Sequence, residues 1–334
     1  MKKKRISGIF LLMALFFAGL FLSSCETDFE INDQWSDITI VYGLLDPGEN
    51  PTYLRINKAF LGGNVMEMAQ IADSSSYLGQ IDVKIYVIRQ SDTIQSIVFD
   101  TVTIGNKVPG IFYNPYQLVY KSDVNLGQFP DGYIFKLNIT NKVTDKEITS
   151  QTTLVGNFAI LKPQSGSKAA FTSTNPRELS WRTGSNGRRY EPAIVFHYYE
   201  IPALTYDTIA REISYGLTPV KAQNLNGGDE LKTYYGGEFF TIVKNNLDPD
   251  FQGTRLAGQV DFIISAGADD FSTYMDVNGP SGSIVQDRPE FTNIENGLGL
   301  FSSRRKVVRT LDLAKDSEQR LVDMELNFVM TQGK

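Results

Sequence analysis

Between residues 81 and 90 the chain reads IDVKIYVIRQ, with Ile81, Val83, Ile85 and Val87 on one face and Asp82, Lys84 and Tyr86 on the other. A period of two sets successive side chains on opposite sides of an extended backbone, so this segment predicts a strand with one buried face. Similar segments recur at 38–45, 52–60, 94–104, 116–124, 133–141 and 147–155, with Gly, Asn and Asp turn signals between them. About seven strands at that spacing predict an immunoglobulin-like β-sandwich over residues 38–157. The 61–80 insertion carries only a short helical pattern.

A stretch mixing Pro, Gly and Ser at 156–176 marks a boundary, and a second β domain is expected over 158–334. Its start, RELSWRTGSNGRRYEPAIVFHYYEI, resembles the opening hairpin of a fibronectin type III-like module, with Trp181 in the first strand and Tyr190 opening the next. Longer strands are expected at 205–215, 256–267 and 298–311. Apolar residues at helical spacing after Gly-containing turns predict short helices at 237–247 and 268–277. The C-terminal RLVDMELNFVM alternates from Val322 onward and predicts a last strand. The fold class is therefore mainly β: an immunoglobulin-like sandwich, then an embellished fibronectin type III-like domain with short helices.

The N-terminus carries an address. Lys2, Lys3, Lys4 and Arg5 precede an apolar run from Ile9 to Leu22, and Ser23, Ser24 and Cys25 follow. A basic head, a short hydrophobic centre and a small-residue exit describe a secretory signal peptide over residues 1–24. The exit Leu22-Ser23-Ser24-Cys25 resembles the bacterial lipobox, which implies cleavage before Cys25 and acylation of its sulfur and new amino terminus. Two or three acyl chains anchor stably where one is marginal. An ordinary signal peptide with an incidental cysteine is the competing reading. Residues 25–37 then form a lipidated, acidic tether. Glu26, Asp28 and Glu30 around Phe29 resemble the export signal that sends Bacteroidetes lipoproteins to the outer surface, with a plain solvated tether as the alternative.

Losing residues 1–24 removes four positive charges and no acids, which takes the formal net charge from −6 to −10. That balance argues against binding a phosphate backbone, which needs clustered Lys and Arg, so no nucleic-acid partner is expected. With the single cysteine committed to lipid and His197 the only histidine, a His/Cys zinc site cannot be assembled. His197 lies in IVFHYYEI, mid-strand between aromatics, where a packed or surface histidine outweighs a catalytic one.

Other candidate groups are dispersed. Asp248, Asp250, Asp269, Asp270 and Asp276 occupy acid-dense loops that suit turns and caps, or calcium. A carboxylate-based glycan hydrolase needs only two acids flanking a sugar bond. Tyr198, Tyr199, Tyr234 and Tyr235 are adjacent pairs, one ring of each pair facing outward, and exposed rings can stack on a glycan or fill a protein interface. Core padding is the alternative. Thr93, Thr101 and Thr208 sit in Asp-Thr-aliphatic triplets that resemble the O-glycosylation acceptor of Bacteroidetes. No cofactor is expected.

FTNIENGLGLFSSR at 291–304, with the lipobox, VYGLLD at 41–46 and RINKAFLG at 55–62, resembles an uncharacterised family of Bacteroidetes outer-membrane lipoproteins. Members carry a domain of unknown function and are often encoded near TonB-dependent receptors. The resemblance implies an accessory protein of envelope transport that faces the surface or the periplasm, and it brings no catalytic residues. The preferred reading is an outer-membrane, surface-exposed lipoprotein, non-enzymatic, acting as an accessory or ligand-capture partner of such a receptor or another barrel. A free-standing glycan-binding or adhesin module is the second reading, and the hydrolase the third. Read as structure, Asn293, Gly297 and Gly299 permit a turn with positive φ that leads Leu298, Leu300 and Phe301 into a strand.

Overall fold

The computed structural model describes residues 38–59, 76–105, 117–171, 175–205, 207–279 and 290–331. Cys25, the acidic residues Glu26, Asp28 and Glu30 with Phe29 among them, and most of the 61–80 insertion lie outside them. The fold is mainly β, with large sheets and a few short helices.

The N-terminal strands are β1 (Ile38–Leu45), β2 (Thr52–Ala59), β3 (Ile81–Arg89), β4 (Asp92–Ile104), β5 (Gln117–Ser122), β6 (Ile134–Asn141) and β7 (Glu147–Thr153). They hydrogen-bond in the order β1-β2-β5-β4-β3-β6-β7. Alternation does here what it predicts: Ile81, Val83, Ile85 and Val87 are buried, while Asp82 is exposed and Lys84 and Tyr86 are half-buried. Their inner faces join Val41, Leu54, Phe135 and Leu137 in one apolar core.

That core is not closed by its own strands. Strand β15 (Gly297–Asp312) lies parallel to β1, pairing Thr39 with Gly297 through Leu45 with Ser303. Just before it, Glu295 exchanges backbone hydrogen bonds with Thr149 of β7 at 3.2 and 2.8 Å, so the strand path returns to its start. Ile294 and Phe301 fill the N-terminal core as a result. The two glycines of NGLGLF belong to this seam and not to a turn. Gly299 has φ +115°, and a Cβ there would sit well inside 3.0 Å of the Val41 carbonyl oxygen. A Cβ on Gly297 would press on the Thr39 carbonyl. Only residues without a side chain let β15 approach β1 this closely. The positive φ of the preceding turn falls on Asn296.

From Arg304 to Asp312 the same strand changes neighbour and pairs antiparallel with β14 (Gly253–Gly267). Beyond β14 come β10 (Arg189–Pro202) and β11 (Ile209–Gly216), so one hydrogen-bonded path runs from β11 to β7. Ser303 marks the handover: its Oγ donates to Thr153 O at 2.6 Å and accepts from Val155 N–H at 3.1 Å. The two apolar cores part at the same place, Leu154 in the first and Val155 in the second.

The second core lies between this sheet and a three-stranded one, ordered β13 (Glu230–Tyr235), β9 (Arg177–Arg182) and β8 (Ala159–Lys162). The expected RELSW hairpin does not form. Strand β9 pairs with β13 and β8, whereas β10 pairs with β11 and β14, so the TGSNG turn carries the chain from one sheet across to the other. Trp181 and Tyr190 then meet across the layer, ring centroids 5.8 Å apart, with Phe158 edge-on to Tyr190 at 5.5 Å. Burying three large rings drives that arch.

Helices α1 (Glu238–Asn246) and α2 (Asp269–Asn278) occupy the two expected segments. The expected C-terminal strand is confined to two residues, Phe328 and Val329. Lys315–Asp323 is a helix, α3, with Ser317 and Leu321 buried at i and i+4 and Asp316 and Glu318 favourably placed at its positive end. The two-residue alternation from Val322 was incidental, because Glu325 and Asn327 turn the chain with φ of 57° and 63°. Two short strands complete the set: β12 (Val220–Lys221) pairs with β10, and Phe328–Val329, β16, pairs with β14.

Candidate ligand groove at the seam of the two cores

Strand β1 buries Thr39, Val41, Gly43 and Leu45 and so turns Tyr42 outward, 41% exposed. On β2 the same alternation buries Thr52, Leu54 and Ile56 and leaves Tyr53 45% exposed, facing the same side as Tyr42. Helix α2 crosses beside them and contributes Phe271 and Tyr274, one turn apart. Tyr274 meets Tyr42 edge-on, centroids 6.3 Å apart at 75°. A hydrogen bond with the Tyr42 hydroxyl, aided by burial, pushes the Tyr274 phenol above its ordinary pKa. Asn293 holds this helix to the seam, donating to Asp270 Oδ2 at 2.8 Å and to Phe301 O at 2.7 Å, and accepting from Phe301 N–H.

These rings line a groove of about 360 Å³ whose floor includes Gly43 and Leu300 and whose end is polar. There Asp46, in the turn after β1, is only 4% exposed. Its Oδ1 accepts the Gly48 N–H at 2.9 Å, an Asx turn that fixes the side chain. Among the described residues its Oδ2 has no hydrogen-bond partner; it faces Arg304 Nε at 3.5 Å, and that Nε is also without a hydrogen bond. Arg304 is held from its other end, Nη2 donating to Glu49 Oε2 at 2.8 Å. Burial, opposed by the Gly48 N–H and by Arg304, pushes the Asp46 carboxyl above the usual carboxylate range. A neighbouring depression of about 380 Å³ shares Leu44, Glu49, Phe271 and Arg304 and adds Glu191 and Lys306.

The sequence-predicted site residues lie elsewhere. Tyr198 and Tyr235 are core residues, packed against Phe196 and Phe262, and are withdrawn as ligand contacts. Their inward turn follows from the strand alternation that exposes Tyr199 (40%) and Tyr234 (52%). Those two belong to different sheets, and neither lines the groove. His197 sits mid-strand, its Nε2 2.9 Å from Asp261 Oδ2.

The acid-rich segments do not converge on a common point, and Asp269, Asp270 and Asp276, expected in a loop, lie on helix α2. Asp269 pairs with Arg188, Asp276 with Arg189 and Lys221, and Asp270 accepts from Asn293. Asp248 Oδ1 accepts the Asp250 N–H. Among the described residues no three His, Cys, Asp or Glu side chains are grouped to hold a metal ion. Thr93, Thr101 and Thr208 are all exposed.

Sequence reasoning missed Tyr42, Tyr53, Tyr274, Asp46 and Arg304. The available signal was an aromatic at an outward position of an alternating strand, in VYGLLD and again in TYLRI.

The fold and groove define a mainly β protein with an open, tyrosine-lined cleft where two cores share a strand. No protein-family profile matches the chain, and no curated protein matches it. Among solved structures, it is similar to the C-terminal globular domain of an oligosaccharyltransferase from Pyrococcus abyssi, at 10% identity over 66% of this chain and 45% of that one, with a TM-score of 0.28. A trypsin-activated alpha-2-macroglobulin from Escherichia coli is similar at 12% identity over 84% of this chain, with a TM-score of 0.19. This chain spans less than half the first structure and 16% of the second.

Proposed function

We propose that this protein is a lipid-anchored outer-membrane protein, exposed at the cell surface, that captures a ligand without transforming it and serves a TonB-dependent receptor or another envelope complex. The observation that carries the capture role is the groove: the exposed rings of Tyr42 and Tyr53 and the half-buried ring of Tyr274 stand beside a buried carboxylate with one oxygen free of hydrogen bonds among the described residues. Clefts of this size with apolar walls and a few fixed polar groups are how proteins hold small molecules. The anchoring role rests on Cys25 at the end of the apolar run and on the acidic residues behind it. Thr93, Thr101 and Thr208 suit O-glycan acceptors through their exposure.

The test is a mild-detergent pull-down of the tagged protein with Cys25→Ala as the unanchored control. A barrel receptor recovered with the anchored form and lost with the alanine form supports the reading. Recovery of the lipoprotein alone from both forms overturns the accessory role and leaves a free-standing glycan-binding module, which the exposed rings also favour.

A further inference from the structure

Two polar atoms at the end of the groove lack the hydrogen bonds that buried groups ordinarily make. Asp46 Oδ2 is an acceptor and Arg304 Nε a donor, 3.5 Å apart and not hydrogen-bonded to each other. An unmade hydrogen bond at a buried charged group is costly. Asp46 cannot relieve this by turning, because its other oxygen is fixed by the Gly48 N–H and its side chain is buried. Arg304 can: its side chain is 43% exposed and is tethered on the outside by Glu49. A small outward shift of Arg304 opens a slot between the two atoms, directly beside the tyrosines.

The group that fits the slot must donate to a carboxylate oxygen and accept from a guanidinium N–H, both through nearly the same point. A hydroxyl does both through one oxygen. The walls then say what carries it. Tyr42 and Tyr274 meet edge-on, and Tyr53 stands on the same face as Tyr42. Such rings offer flat apolar surface with a hydroxyl rim, the complement of a ring with C–H groups on its faces and hydroxyls on its edge. The local charge sorts the options further. Asp46 and Glu49 against Arg304 leave the groove mouth on the negative side, which disfavours an anionic ligand, while Arg304 Nε disfavours a cation at the slot.

We propose that the groove binds a neutral sugar, one hydroxyl bridging Asp46 Oδ2 and Arg304 Nε while the ring rests on the tyrosine walls. The assignment rests on the capture reading above and names its ligand class. Asp46 and Arg304 set specificity, and Tyr42, Tyr53 and Tyr274 supply the stacking surface.

The experiment uses the full chain in mild detergent, titrated calorimetrically with neutral gluco-, xylo-, manno- and galacto-oligosaccharides and applied to a glycan array. Tyr42→Ala is expected to weaken binding about tenfold through loss of one stacking face. Asp46→Asn, which keeps the shape and loses the charge, is expected to cost a further ten- to hundredfold. Arg304→Ala tests the other half of the bridge. Tyr199→Ala and Tyr234→Ala, exposed rings outside the groove, should bind as the parent does. Circular dichroism of each variant separates lost binding from lost fold.

Sugar binding that follows this order supports the proposal. Sugar binding untouched by the groove variants overturns the site. Absence of binding to every sugar, while groove variants still lower recovery of the receptor in the pull-down, overturns the ligand class and leaves the capture reading standing. Absence of both overturns the two together.

Discussion

The parallel seam between β1 and β15 is the joint on which the architecture depends, and Gly299 is where it can be broken with one methyl group. Two penalties act at this position. The backbone has φ +115°, a conformation open to glycine and strained by about 1–3 kcal/mol for an L side chain. The added carbon also meets the Val41 carbonyl oxygen well inside 3.0 Å. That obstacle is backbone already paired in a sheet, so it yields only by parting the strands, at about 1–3 kcal/mol for comparable overpacking. Gly299→Ala should therefore lose about 3 kcal/mol, which for a chain of this size lowers Tm by on the order of 5 °C. Two other glycines calibrate the result. At Gly43 the nearest obstacle is the tip of the Leu54 side chain, which can rotate, so Gly43→Ala should cost less. At Gly216, the end of β11, nothing lies within 4 Å, and Gly216→Ala should stay within about 0.5 kcal/mol. Thermal and urea unfolding followed by far-UV circular dichroism reads all three. A Gly299→Ala protein that melts with Gly216→Ala would refute the close approach and, with it, the shared strand.

Arg255 is fully buried and donates to Glu200 Oε1 at 3.0 Å, to Leu326 O and to Asp248 O, so Glu200→Gln leaves a buried guanidinium without its carboxylate and should cost about 3 kcal/mol in urea unfolding. An unchanged midpoint would mean that solvent or another acid reaches Arg255. Asp46 predicts a pH effect of definite sign. Its folded pKa is raised, chiefly by burial, so the folded chain holds that proton more tightly than the unfolded one. Stability from this group is present below the ordinary value of 3.8 and is lost as pH rises through the raised folded value. Asp46→Asn should gain stability over the parent at neutral pH, and the gain should vanish near pH 3. Urea midpoints of both proteins at the two pH values decide it, and a parent favoured more strongly at neutral pH than at acid pH contradicts the burial account.

The strands were legible wherever one face is buried and the other wet. Residues 81–87 show that plainly, because every second side chain is aliphatic and the intervening ones are polar or amphipathic. Strand β8 was hidden inside the Pro- and Ser-containing boundary because four residues carry too few alternations to register. At the C-terminus the spacing of Val322, Met324 and Leu326 mimicked a strand, while the burial of Leu321 one turn after Ser317 decided for a helix. The arch between β9 and β10 could not be told from a hairpin locally, since both begin with the same turn and differ only in which sheet receives the second strand. The groove was the least legible part. Tyr42, Asp46, Tyr274 and Arg304 come from three distant segments, and each alone reads as an ordinary strand, turn or helix residue. Their convergence is a property of the seam, which depends on a parallel pairing that no local periodicity announces.

The shared strand also governs the order in which the molecule can be made. A chain that emerges N-terminus first presents β1 to β7 long before residues 297–303 exist. Until those seven residues arrive, the first core lacks Phe301, and one edge of β1 stands unpaired, a template for any passing extended segment. Completion is therefore a late event with a large loop to close, slow by its topology. A truncation that ends at residue 157 would meet the same difficulty permanently, so the first half of this protein is not a separable cassette: it is finished by a strand of the second.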